Sequence, residues 1–299
     1  MYNQKTITVE DNEGDRLDVF LTRKFPESSR SYIQRLINSG DVKLNGSATS
    51  SSHSVKIGEQ VSLVFHEKIS EAVAQDIPLN IIHEDRDILI INKPAGLVVH
   101  PACGHESGTL VNAILGYSKG KFQPLLVHRL DKDTSGVMIV AKNERARTSI
   151  VKQFQKRVVK KTYLLIAEGR INEKKGSIDA PLGRSLQDRK KIVVGPLSKK
   201  ESVTEFEVIE RTANYTLVKA HPLTGRTHQI RSHFAYIGHP IVGDETYGGR
   251  IVIDNKKFKR QMLHAYTISF THPSLHKTIS FQAPVPGDMK KYFKNLRAS

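Results

Sequence analysis

The chain has 299 residues, of which 38% are hydrophobic and 25% charged, with a single cysteine and a formal net charge of +16. That composition is globular, and it excludes an intramolecular disulfide, a zinc site built on several thiolates and, with no apolar run approaching ~20 residues, a helical membrane span. The charge calls for a polyanionic partner, because lysines and arginines gain affinity for phosphates by releasing condensed counterions. Residues 1–75 hold nine lysines and arginines against ten acids, so the whole positive excess lies downstream. Without an apolar N-terminal core of the signal-peptide kind, the sequence reads as cytoplasmic.

Thr6–Val9 predicts a strand, and Arg16 opens an amphipathic helix with Leu17, Phe20 and Leu21 on one face. Ser28 to Ser31 offer caps for a second helix, in which Ile33, Leu36 and Ile37 recur at helical spacing before Gly40 ends it. Val42 to Gly46 is a hairpin signal, and residues 55–64 read as a strand with a turn. Residues 67–79 lack periodicity and contain Pro78, which places a linker at 70–79 between a small domain, 1–69, and a large one, 80–299.

The large part begins with the apolar run Ile88–Ile91, the turn Asn92-Lys-Pro-Ala-Gly96, a short returning strand at Leu97–Pro101 and a helix from Thr109. At its centre stands His128-Arg-Leu-Asp-Lys-Asp-Thr-Ser-Gly136, a polar head that feeds the buried strand Val137–Ala141, with Asn143 as the cap of a basic helix over 144–159. A strand at Tyr163–Ala167 follows, then a polar stretch, 172–200, expected to be an irregular hairpin or loop whose Arg184, Arg189, Lys190 and Lys191 contact phosphate. Alternation predicts strands at 203–209 and 215–220, a helix at 228–236, a loop at Gly243–Gly249, strands at 263–270 and 278–281, and a C-terminal helix at 287–296. Many strands with few intervening helices imply an α+β class with a large mixed, mainly antiparallel sheet.

The His128–Gly136 motif resembles the catalytic signature of the RluA/RluD group of RNA pseudouridine synthases. Lys161-Thr-Tyr163, Thr224-Gly-Arg-Thr-His-Gln-Ile-Arg231 and the Asn92–Gly96 turn are similar to further blocks of that group, in the same order. Residues 14–66, with two short helices, small strands and basic side chains that include Arg16, Arg30 and Arg35, resemble the S4 RNA-binding domain. The group usually shows an Arg-Pro-Gly-like turn before the signature, where this chain has Gln123-Pro-Leu-Leu-Val, so only local loop contacts differ.

The resemblance implies a pseudouridine synthase fold, an isomerase and a cofactor-free, metal-free site that breaks the bond from C1′ to N1 of a uridine, turns the base and joins C5 to C1′. Such an enzyme extrudes the base, stabilises developing charge and moves protons. Asp131 matches the essential aspartate, either as nucleophile on the sugar or as base at its 2′ position. An ionised carboxylate in a pocket needs a cationic partner, for which Arg231 is the expected residue and Arg226 the reserve. Tyr163 matches the tyrosine that stacks on the flipped uracil and relays the C5 proton, and Arg129 the residue that fills the gap left in the RNA. His128 and His228 belong to the RNA-contacting blocks, and Leu263 is the expected apolar floor under the base. Large-subunit ribosomal RNA is the implied substrate and a monomer the implied state. Transfer RNA is the alternative substrate, and a non-catalytic RNA-binding ribosome assembly factor the rival function.

Other motifs carry less. Gly116-Tyr-Ser-Lys-Gly-Lys121 is too short for a phosphate loop and lacks the following hydroxyl residue, Ser135 lacks a hydrolase elbow, and the thirteen histidines form no ligand spacing.

Overall fold

The computed structural model describes residues 3–11, 13–26, 28, 30–65, 72–101, 107–185, 187–188, 191–195, 200–253, 255–290 and 292. The chain divides into two compact units, residues 1–71 and 72–299. In the first, β1 (Asn3–Thr8), α1 (Leu17–Lys24), α2 (Arg30–Ser39), β2 (Val42–Leu44), β3 (Ser47–Ala48) and β4 (Gln60–Phe65) follow one another. The strands form an antiparallel sheet in the order β1-β4-β2-β3. Asn45 and Gly46 both take positive φ, as a two-residue hairpin turn with right-handed strand twist requires. Leu17, Phe20 and Leu21 of α1 and Ile33, Leu36 and Ile37 of α2 close the core over Val61 and Leu63.

The second unit is built on one ten-stranded sheet. Its members are β5 (Ile81–Glu84), β6 (Ile88–Lys93), β7 (Leu125–Leu126), β8 (Ser135–Ala141), β9 (Lys160–Glu168), β10 (Lys175–Asp179), β13 (Val203–Arg211), β14 (Tyr215–Pro222), β17 (Leu263–Thr271) and β18 (Thr278–Gln282). Two small hairpins, β11 (Leu182–Arg184) with β12 (Ile192–Val194) and β15 (Val252–Ile253) with β16 (Lys256–Lys257), stand outside it. The order is β10-β13-β14-β9-β17-β8-β6-β5, with β18 beside β17 and β7 beside β8. All pairings are antiparallel except β8 with β17. Helices α3 (Leu110–Ser118), α4 (Glu144–Gln155), α5 (Gln229–Tyr236) and the short α6 (Gly287–Lys290) complete the unit. Apolar clusters form around β6, β8 and α3 on one side and around β9, β14 and α5 on the other.

β8 is buried along its whole length, as its β-branched run demands, and Asn143 caps α4 by accepting from the Ala146 amide at 2.9 Å. Leu97–Pro101 is not a strand. The carbonyls of Val98 and Val99 instead accept the first two amides of α3, Leu110 and Val111, so these groups finish a helix N-terminus rather than a ladder. Helix α4 stops at Gln155, earlier than the pattern suggests, because Arg157 turns to φ +58 to enter β9. The polar stretch after residue 172 is more regular than expected, since β10 pairs with β13 as the sheet's edge strand and β11 pairs with β12. Arg189, Lys190 and, from the expected C-terminal helix, residues 291 and 293–296 lie outside the described residues.

The single parallel contact joins Ser135 and Gly136 to His264 and Ala265. Gly136 has φ +120, and a Cβ there would lie 2.1 Å from the Ala265 carbonyl oxygen. Ser135 shares a buried hydrogen bond, 2.9 Å long, with His264 Nδ1. Gly136→Ala therefore meets both a forbidden backbone region and a rigid neighbour. Denaturant titration of the full chain should show a loss of about 3 kcal/mol or more, against about 1 kcal/mol for Gly108→Ala, whose φ is +69 but whose surroundings are open.

Candidate active site

Asp131 opens a turn ahead of β8, closed by the Thr134 amide donating to the Asp131 carbonyl at 3.2 Å. What fixes this turn is Lys93, the last residue of β6. Its ammonium is fully buried and donates to the carbonyls of Pro94, Leu97 and Lys132 at 2.8, 2.8 and 2.9 Å. Three carbonyls satisfy all three of its N–H groups, which is how a buried lysine becomes tolerable. Burial still pulls its pKa down to about 8, against the favourable charges of Asp133 and Asp131. The Gly96 amide also donates to Lys132 O, and Arg260 Nη1 donates to Asp133 O at 3.1 Å. The Asn-Lys-Pro-x-Gly turn and the signature thus form one rigid piece.

His128 acts on the other flank. Its Nε2 accepts the Ile139 amide of β8 at 2.9 Å, and the ring stacks on Phe154 at 5.0 Å. Burial, with Lys161 nearby, holds its pKa down to about 3, so the ring is a neutral acceptor and continues the β7 ladder by other means.

The opposite wall is the Thr224–Arg231 segment. Gln229 organises it: its Oε1 accepts from Thr224 Oγ1 at 2.7 Å and from the Arg226 amide at 3.0 Å, while Nε2 donates to Val203 O and Thr204 Oγ1. His228 takes the left-handed conformation just before α5, and its Nδ1 bonds Tyr247 Oη at 2.9 Å. This delivers Arg231, 6% exposed, to the Asp131 turn.

Arg231 Nη1 donates to Asp131 Oδ2 at 3.1 Å, while Nε and Nη2 grip Asp244 at 2.6 and 2.8 Å. Tyr247 lies under the guanidinium, 5.1 Å from ring centre to Cζ. Burial alone would lower the arginine's pKa, and the Asp244 and Asp131 carboxylates more than reverse that. His228 Nε2 stands 3.8 Å from Asp131 Oδ1, too far for a hydrogen bond, and burial holds this imidazole below its usual range against the pull of Asp131.

These walls enclose a cleft of about 530 Å³. Arg129, Asp131, Tyr163, Arg226, His228 and Leu263 all line it, as does Lys161. Burial first, and then the Asp131 charge, push the Tyr163 phenol upward, so it stays protonated. Lys161 Nζ donates to Thr224 O at 3.1 Å, and burial lowers its pKa to about 8. Arg129 is exposed, and Arg226 donates through Nε to Glu201 O at 3.1 Å.

Arg16 and Arg30 belong to the first unit, where both donate to the fully buried Asp18, at 3.0 Å each, together with Gln34. Burial raises that carboxyl, and the three donors more than offset it, holding it far below the usual range. Both guanidinium groups remain about half exposed, at 48% and 51%. Arg35 stacks over Tyr32, 5.5 Å from its ring centre.

Asp244, Tyr247, Lys93 and Lys161 escaped the sequence reading. The only hint of the first two is the glycine framing of Gly243-Asp-Glu-Thr-Tyr-Gly-Gly249, which allows a loop tight enough to reach α5. Among the described residues no group of histidines, cysteines and acids could hold a metal ion, and no helix is long and apolar enough to cross a membrane. Asp244→Ala leaves a buried guanidinium with half its partners, and denaturant titration should show a cost of about 3 kcal/mol or more.

The RNA pseudouridylate synthase family model matches residues 87–236, and the S4 domain model residues 15–61. Over 99% of this chain and of its own length, the uncharacterised RNA pseudouridine synthase YlyB of Bacillus subtilis is 41% identical. Ribosomal large subunit pseudouridine synthase D of Xanthomonas campestris is 42% identical over 95% of this chain and 89% of its own. The solved structure of human RNA pseudouridylate synthase domain containing 1 overlays with a TM-score of 0.59 at 29% identity, covering 72% of this chain and 86% of that one. Signature, second arginine block, fold and full-length likeness agree, and the chain belongs to the RluA family of RNA pseudouridine synthases that carry an N-terminal S4 domain.

Proposed function

We propose that this synthase isomerises uridines of large-subunit ribosomal RNA, with Asp131 as the catalytic carboxylate. The carrying observation is the Asp131–Arg231–Asp244 chain, which presents Asp131 as the one acid, among the described residues, lining a cleft that also holds Arg129, Lys161, Arg226 and the Tyr163 ring among apolar side chains. The ribosomal assignment draws support from full-length relatives named for that substrate, at 40 to 42% identity.

In this reading a uridine swings out of its stack into the cleft, and Arg129, exposed at the rim, takes the space it leaves. Leu263 and Tyr163 contact the faces of the uracil. A phenol that stays protonated serves as platform and donor rather than as a standing base. The Asp131 carboxylate then either adds to C1′ or removes the 2′ proton, in both routes as the C1′–N1 bond breaks and its electron pair leaves on the uracil. The turned base bonds C1′ through C5, Asp131 departs or returns the proton to C2′, and C5 gives up its own proton to N1 by way of solvent. Arg231 steadies the carboxylate's charge throughout. Because Asp244 occupies the other two guanidinium edges, Arg231 keeps its place while Asp131 reacts. Lys161 supplies a second positive charge, suited to a substrate phosphate or a uracil carbonyl oxygen.

RNA from a synthase-deficient strain, incubated with the protein and mapped for pseudouridine, should gain sites in its large-subunit component. Asp131→Ala should lower turnover on the order of 10⁴-fold or more while RNA affinity changes little. Sites confined to transfer RNA, or equal activity of the variant, would overturn the assignment of substrate or of residue respectively.

Lys161 carries charge below its pKa of about 8 and loses it above. Consequently kcat/KM should fall as pH rises through about 8, and Lys161→Arg should keep its activity to higher pH. An identical fall in the variant would assign the titration elsewhere.

A further inference from the structure

β8 leaves the Asp131 turn at Ser135 and ends at Ala141, beside Lys142 and Asn143. Seven residues at about 3.3 Å each separate its two ends by roughly 20 Å. β6 runs antiparallel to it, with Lys93 at the Asp131 end and Ile88 at the other. At that far end lies a second cleft, of about 1070 Å³, formed by residues 76–79 ahead of β5, Glu84 and Arg86 at its end, the C-terminus of α3 and the entry to α4. It shares no lining residue with the Asp131 cleft.

Five cations and two acids line this cleft. One of the two acids, Glu84, is already occupied, since Lys142 and Tyr117 Oη donate to it at 2.7 and 2.6 Å. Arg145 is paired with Asp87. That leaves Arg86, Lys119 and Lys121, all exposed and in no ion pair among the described residues, against one further lining acid, the exposed Asp76; the Lys121 charge also acts on Glu84 from beyond ion-pair distance. Lys119 takes φ +46 where α3 ends, and Gly120 follows at φ +80, so Lys119 and Lys121 project from a fixed turn rather than a loose loop. Tyr117 is 44% exposed among them. An excess of unpaired cations around an accessible aromatic ring is what a nucleic-acid strand needs, charge for its phosphates and a flat face for an unpaired base. The Gly116–Lys121 segment, useless as a nucleotide phosphate loop, suits this task.

We infer that this cleft is a second RNA-contact surface, which takes the backbone of the substrate strand beyond the target uridine on Arg86, Lys119 and Lys121. The inference rests on the reading of the protein as an RNA-modifying enzyme, and it adds a site that the chemistry at Asp131 does not require. A strand held at both places spans roughly 20 Å of protein. Long RNAs gain from it and a minimal stem-loop does not.

The test compares the full-length protein with the Arg86→Ala/Lys119→Ala/Lys121→Ala variant on transcribed large-subunit ribosomal RNA and on a short stem-loop cut around a mapped target. Each lost phosphate contact reduces the slope of log affinity against log salt by about 0.7 to 0.9, so the slope on the long RNA should fall by about 2 to 3. Between about 50 and 200 mM salt the parent should lose roughly 20- to 40-fold more affinity than the variant. Turnover and KM on the stem-loop should match. An unchanged slope on the long RNA overturns the inference, and so does an equal loss on the stem-loop, which cannot reach the second cleft. A parent protein that binds but forms no pseudouridine would instead sink the enzymatic reading, while the slopes still judge the cleft.

Discussion

One guanidinium stands between two carboxylates, and the site depends on how it is divided. Arg231 gives two parallel bonds to Asp244 and a single one to Asp131. The bidentate side fixes position and the single side leaves Asp131 one oxygen free to face the cleft, where its side chain is 20% exposed. A lysine in this place would be a point charge with no planar fork to share, and it would follow whichever carboxylate moved. Arg226, exposed and turned toward Glu201 O, offers no such geometry.

The supports of this clamp are mostly backbone carbonyls and neutral rings rather than further charges. Lys93 ties the Asp131 turn to the end of β6, His128 ties its approach to β8, and Gln229 folds the opposite segment onto β13. Each satisfies its own donors or acceptors in the process, so the walls are rigid, with the desolvation cost falling mainly on the buried Lys93 ammonium. Of the cations that line the cleft, Lys161 and Arg226 also tie backbone carbonyls, at Thr224 and Glu201, while Arg129 stays exposed.

Much of this was legible in the sequence. The buried run after Gly136, the cap at Asn143, the hairpin at Asn45-Gly46 and the alternating strands around 203–220 follow from period and turn chemistry. Leu97–Pro101 misled because its apolar residues suit a strand while its carbonyls serve α3, and backbone partners leave no trace in side-chain pattern. β10 was hidden for the opposite reason: Lys175-Gly-Ser-Ile-Asp179 is a polar edge strand with one buried side chain. Asp131 and Arg231 could be matched by motif, but Asp244 lies thirteen residues from its partner across a glycine-framed loop, and no periodicity links them. His128 shows a further limit, since a histidine in a signature reads as chemistry although its Nε2 is spent on a strand.

The lone parallel seam between β8 and β17 bears on how the protein comes into being. Ser135 meets His264 across 129 residues, and Asp131 meets Arg231 across 100. Closing loops of that size contributes nothing until distant segments have docked, so such contacts form late and slowly. During synthesis the signature emerges long before either partner leaves the ribosome. In the nascent chain, therefore, the carboxylate at Asp131 cannot meet its guanidinium, nor the seam close, until residues 231 and 264 respectively have been translated.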